Sequence, residues 1–135
     1  MSYVQPMLQT YPRTVNIDPA LLGEAIPSLR DCAQACTACA DACLAERDLT
    51  ALACCIRLEL DCADVCEATS HVLSRRTGGE PWSVRALVEA CVQVCRACAD
   101  ECARHGEYMP HCNVCAEACL RCLAACEKLL TALPG

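Results

Sequence analysis

The stretch that most constrains this chain is Cys91 to Cys102, which reads CVQVCRACADEC. Its four cysteines are spaced four, three and four residues apart. On an α-helix that spacing sets all four on one face, within roughly a 60° sector at about 100° per residue. The same ladder recurs at Cys32, Cys36, Cys39 and Cys43, and a longer one runs through Cys112, Cys115, Cys119, Cys122 and Cys126. A chain that writes one thiol stripe three times is expected to be helical and to turn those stripes toward a shared interior.

The ladders belong to a larger repeat. Cys32, Cys36, Cys39 and Cys43 map onto Cys91, Cys95, Cys98 and Cys102, and Gln34, Ala38, Ala40 and Asp41 recur as Gln93, Ala97, Ala99 and Asp100. Further on, Cys55, Cys62, Cys66 and Glu67 match Cys115, Cys122, Cys126 and Glu127. In that register Leu52 stands opposite Cys112, and Glu59 opposite Cys119. Two helical hairpins are therefore copies of one unit. A hairpin burying one stripe per helix cannot close its own core, so the two must pack together.

Punctuation along the chain places the helices. Met1 to Asn16 carries Pro6 and Pro12 without a clear period and reads as an extended arm. Asp18-Pro19 is an N-cap followed by proline at the first helical position, opening a short helix to about Ala25 that Pro27 ends or kinks. Bundle helices are expected over Ser28–Glu46, then from an Asp48 cap to Arg76, from a Ser83 cap to His105, and over Pro110–Leu133. Gly78-Gly79-Glu80-Pro81 and Gly106 act as breakers. The fold class is all-α: an antiparallel four-helix bundle at 28–135, preceded by an arm and short helix at 1–27.

Composition narrows the chemistry. The chain has 17 cysteines in 135 residues, no Phe, one Trp and three Tyr, so thiols must fill much of the core. Disulfides are a poor explanation. The count is odd, neighbours on one helix face lack disulfide geometry, and the first residues show no basic and apolar export signal. Many thiols in a reducing compartment point to metal binding. A net charge of −6 without a Lys/Arg block argues against nucleic acid, and no apolar run suits a membrane span.

Soft thiolates select Cu(I), Zn or Fe–S clusters. Zinc wants closed tetrahedral sets, and a continuous stripe offers no natural division into fours. Ferredoxin clusters sit in a loop spaced C-x₂-C-x₂-C-x₃-C-P, whereas these cysteines ride a helix spaced C-x₃-C-x₂-C-x₃-C with no following proline. Cu(I) accepts two or three thiolates, and each Cu(I)–thiolate pair is formally neutral, so filling the core buries no net charge. Many Cu(I) ions per chain is the best fit. A zinc or mixed-metal thiolate buffer is the alternative, and an Fe–S electron carrier comes behind it. With so many thiols no unique nucleophile stands out, so an enzyme is not expected.

Outside the ladders, Cys54 lies about 100° from Cys55 and reads equally as core filler or ligand. His105, Met109 and His111 cluster at the third interhelical connection, at the same end as the first, and could line a copper entrance. The arm is expected to close the opposite end. Met7 reads as packing and His71 as a surface residue. Glu59 and Asp61 flank the second helix's stripe and read as a solvated helix edge, the alternative for Glu59 being an oxygen ligand added to the column.

The duplicated four-three-four ladders without an export signal resemble the cytosolic copper storage proteins, a Cys-rich four-helix-bundle family, over about Pro19 to Leu133. That resemblance implies storage or detoxification of many Cu(I) ions by the cysteines of the four stripes. It assigns His105 and His111 to the open end, and it implies a cytoplasmic homotetramer with copper ions as partners. Exported relatives carry a twin-arginine signal, which is missing here. Leu52, Glu59 and Cys54 depart from the family pattern.

Overall fold

The computed structural model describes residues 2–14, 16–78 and 81–133. Five helices follow in order: α1 (Val4–Gln9), α2 (Pro19–Leu44), α3 (Leu49–Ser74), α4 (Pro81–His105) and α5 (Pro110–Ala132). The four long helices pack each against its chain neighbour, and α2 also packs against α5. This ring of contacts is the up-down-up-down bundle expected from four helices joined by short connections. No described helix is long and apolar enough to cross a membrane.

The helix starts follow the expected chemistry. Asp18 accepts a hydrogen bond from the Ala20 amide at 2.9 Å, and Pro19 follows as first helical residue. Asp48 accepts from the Ala51 amide at 3.3 Å. Each carboxylate satisfies a backbone donor that the first turn leaves open.

Several expectations at the ends are corrected. The arm is not wholly extended, since Val4–Gln9 forms a short helix. Met1 and Val15, also assigned to that arm, lie outside the described residues, as do Gly79 and Glu80 of the expected breaker. Pro27 does not end a helix, because α2 runs unbroken through it. A proline here forfeits one backbone hydrogen bond. Leu22, Ala25, Ile26 and Leu29 lie on both sides of it, and all are buried. Their packing holds the helix across the fault. Helix α4 begins at Pro81, so Ser83 sits within its first turn rather than capping it. Helix α3 ends at Ser74, which leaves Arg75 at its extended C-cap.

Gly106 does follow the last residue of α4, but not through a left-handed backbone, which no described glycine adopts. Its lack of a side chain matters for a different reason. The Asn113 side chain occupies the space a Cβ would need, and its Nδ2 donates to the Gly106 carbonyl at 2.8 Å.

The core has two compositions. At the arm end it is aliphatic, with Leu22, Leu29, Leu73, Val88 and Leu129 buried together. From there to the other end it is mostly sulfur, with Leu52 and Glu59 taking buried stripe positions on α3. Val4 and Leu8 of the arm pack against the aliphatic part from outside. Closure of that end thus comes from leucines on the bundle helices, with the arm as a flanking layer.

Candidate metal centre

The four stripes converge. Every cysteine except Cys54 is buried, and all seventeen are free thiols. The register follows from the helix directions. Helices α2 and α4 run toward the α2–α3 and α4–α5 connections, while α3 and α5 run away from them. Cys43, Cys55, Cys102 and Cys112 therefore share one end, and Cys32, Cys66, Cys91 and Cys126 lie deep.

The sulfurs form layers. Cys32, Cys66, Cys95 and Cys122 make a deep quartet, with all four sulfurs within 4.8 Å of one another. Cys32, Cys36, Cys62 and Cys119 make the next, and Cys36, Cys98, Cys115 and Cys119 the one above it. The nearest Sγ–Sγ separations are 3.6 Å for Cys36–Cys119 and 3.7 Å for Cys32–Cys119, Cys66–Cys95 and Cys36–Cys115. These are contacts between free thiols, far longer than a disulfide bond of about 2.05 Å.

The division into fours corrects the expectation that a stripe offers none. One helix supplies no quartet, but helices together do: Cys32, Cys66, Cys95 and Cys122 come one from each of α2 to α5, and the other two quartets each draw on three helices. A tetrahedral ion with metal–sulfur bonds near 2.3 Å needs sulfurs about 3.8 Å apart, so size alone would admit zinc. Sharing decides against separate zinc sites. Cys32 belongs to two quartets, as do Cys36 and Cys119. Shared sulfurs must bridge, and a column of bridging thiolates suits a chain of low-coordinate soft monovalent ions. Four thiolates around one divalent ion would also leave two net negative charges in a buried core.

At the open end Cys39, Cys43 and Cys112 gather with His111. The Nδ1 of His111 lies 3.2 Å from the Cys39 sulfur and 3.6 Å from that of Cys112. Its Nε2 lies 2.9 Å from Glu46 Oε2. A carboxylate on one ring nitrogen orients the other toward the sulfurs, as around many metal-binding histidines. His105 is also at this end, half-buried, with Nε2 2.9 Å from Glu101 Oε2. Met109 packs against the core beside it. Burial pushes the Cys112 thiol up to about 11 and raises Cys43 as well, so these sulfurs are protonated near neutral pH.

Cys54 is exposed, unlike the other sixteen. His71 is on the surface beside Glu67, and Asp61 pairs with Arg57 at 3.0 Å. Glu59 is different. It is fully buried, with Oε1 3.7 Å from Cys43 and Oε2 3.6 Å from Cys102. The solvated edge expected for it is wrong. The signal was present in the repeat, since Glu59 takes the stripe position that Cys119 holds in the second hairpin. Glu46 and Glu101, which orient the two histidines, were both missed: no spacing rule ties Glu46, in a connection, to a histidine on another helix, whereas Glu101 lies four residues before His105 on α4 and its i,i+4 spacing was the signal.

Residues 20–131 match the family described as copper storage protein. The chain is similar to the copper storage protein Ccsp of Streptomyces lividans, solved loaded with 10 copper equivalents. The two are 51% identical over 96% of this chain and 99% of that one, with a TM-score of 0.94. A second structure, of copper loading to a cytosolic copper storage protein from Streptomyces lividans, holds five coppers. It is 53% identical over 85% of this chain and 96% of that one, with a TM-score of 0.83. The Cu(I)-bound copper storage protein BsCsp3 is 30% identical over 82% of this chain and 98% of that one, with a TM-score of 0.73.

Proposed function

The chain belongs to the copper storage protein family, and from that premise we propose that it stores cuprous ions along its bundle axis in the cytosol. The observation that carries this reading is the set of thiol quartets sharing Cys32, Cys36 and Cys119. A column of shared sulfurs has room for many ions and no one site set apart for catalysis. The ligands are the sixteen buried cysteines, with His111 at the mouth. His105 and Met109 line the approach.

Uptake is a series of ligand exchanges. A cuprous ion meets the His111 imidazole, held toward Cys39 and Cys112 by Glu46. Each thiol that takes up an ion releases its proton, and the resulting Cu(I)–thiolate pair is neutral. Deeper sulfurs lie within 4 Å of one another, so an ion can engage the next before leaving the last. The aliphatic plug of Leu22, Leu29 and Leu129 stops the column at the far end. In keeping with the family, the protein works as a homotetramer, with exposed Leu60, Val114 and Leu120 available to intersubunit contacts.

The test is an anaerobic titration with Cu(I) against a chromophoric competitor, with size-exclusion chromatography of the loaded protein. Saturation near the number of buried thiols is expected. Saturation near one ion per chain would sink the storage reading.

A further inference from the structure

We propose that Glu59 is a transfer ligand, a buried oxygen donor that passes cuprous ions from the mouth layer to the deep quartets. The inference rests on the storage reading above and assigns one step within it.

Three observations carry it. The first is burial without a cation. The side chain is completely enclosed, its neighbours are the thiols of Cys43 and Cys102, and no ion pair to it occurs among the described residues. A buried carboxyl is paired with a positive group or a metal, or is kept neutral by a proton, and burial raises Glu59 above the ordinary carboxylate range. The enclosed oxygens thus have no resident cation and are free to engage one that passes.

The second is height. Helix side chains lean toward their N-terminus, and α3 starts at the mouth. Glu59 thus reaches up from the row between Cys55 and Cys62. Its carboxylate joins Cys39 and Cys115, within 4.8 Å of both sulfurs. Cys39 is also part of the His111 layer, and Cys115 is part of the quartet with Cys36, Cys98 and Cys119. Glu59 therefore stands where the two sets meet.

The third is the repeat. The other hairpin has Cys119 at this position, a sulfur shared by two quartets. A thiolate there holds a soft ion firmly. A carboxylate is a harder donor and holds it weakly, so an ion bound by Glu59 and one thiolate moves on readily. One strong site is given up, and faster passage to the deep sulfurs follows.

The experiment compares wild type with Glu59→Gln, Glu59→Leu and Glu59→Cys, each checked for helix content by circular dichroism. Substoichiometric Cu(I) is added, and thiol protection is followed by quenched alkylation and mass spectrometry. Cys112, which makes no contact with Glu59, reports the mouth, and Cys32, Cys66 and Cys126 report the deep column. In Glu59→Leu we expect unchanged mouth protection and deep protection slower by roughly tenfold or more. Glu59→Gln should fall between Leu and wild type. Glu59→Cys should bind one further ion yet also fill the deep sulfurs slowly.

Deep protection at the wild-type rate in both Leu and Gln variants overturns the proposal. So does slowing of mouth and deep sulfurs alike, which marks a packing defect. If wild type itself saturates near one ion, the storage reading fails and this one with it. If wild type fills and the variants match it, only the role of Glu59 fails.

Discussion

The sulfur of Cys39 lies 3.2 Å from Nδ1 of His111, and the opposite ring nitrogen is held by Glu46 at 2.9 Å. The pair joins α2 to α5 across the mouth, and the carboxylate fixes which nitrogen faces the thiols. Replacing Glu46 by Gln should loosen that orientation and weaken the outermost site by roughly tenfold or more. Titration against competitors of graded affinity will show it as earlier loss of the weakest-held ion. His111→Ala removes the donor itself and should slow uptake further. Neither change touches the deep quartets, so total capacity should fall by about one ion at most. A collapse of capacity in either variant would mean that the mouth is structural.

Cys54 and Cys119 make a sharper contrast. Cys54→Ser should leave capacity unchanged, because Cys54 is exposed. Cys119→Ser should cost more than its share, because that sulfur belongs to two quartets. Stoichiometric titration of the two variants under anaerobic conditions compares them directly. Equal small losses would argue for independent sites rather than a bridged column.

Much of this arrangement was legible in the cysteine spacing. Periodicity fixes which residues share a face, so the three ladders placed Cys32 to Cys126 on inward stripes with little ambiguity. The offset of Cys54 was visible, but spacing alone could not choose between a core edge and solvent. The quartets were not legible, because they depend on the heights at which four antiparallel helices pass one another. Pro27 misled for a related reason. Local chemistry argues for a break there, and only packing around Leu22 and Leu29 overrides it. Glu59 shows the opposite failure. Its side-chain type suggested a wet surface, while its position in the repeat pointed inward, and position won.

The aliphatic plug should carry stability without carrying copper. Leu29 is fully buried, in the cluster formed by Leu22, Val88 and Leu129. Leu29→Ala should lower the unfolding free energy of the copper-free protein by about 2–5 kcal/mol, the range for buried leucine truncations. Denaturant unfolding followed by circular dichroism measures it, and copper capacity should stay at the wild-type value. The same experiment tests whether the copper-free chain is folded at all. Strong helical signal is expected, since thiols pack as small apolar groups. A chain that gains its helices only on adding metal would overturn this.

Alkaline pH should separate the copper-free protein from the loaded one. A free thiol titrates near 9.0, whereas burial holds Cys112 protonated to about 11 in the fold. Below pH 9 both folded and unfolded chains keep the proton, and the stabilising difference is fully present. Between about pH 9 and 11 the unfolded chain loses the proton first, so stability falls as pH rises. Cys43, raised by the same burial, pushes in the same direction. Once copper occupies these sulfurs there is no proton left to lose, and the fall should vanish. Denaturant midpoints at pH 7, 9 and 11, taken anaerobically on both forms, check this. Cys112→Ser should flatten part of the decline in the copper-free protein. A decline of equal size in loaded protein would place its origin elsewhere than in the mouth thiols.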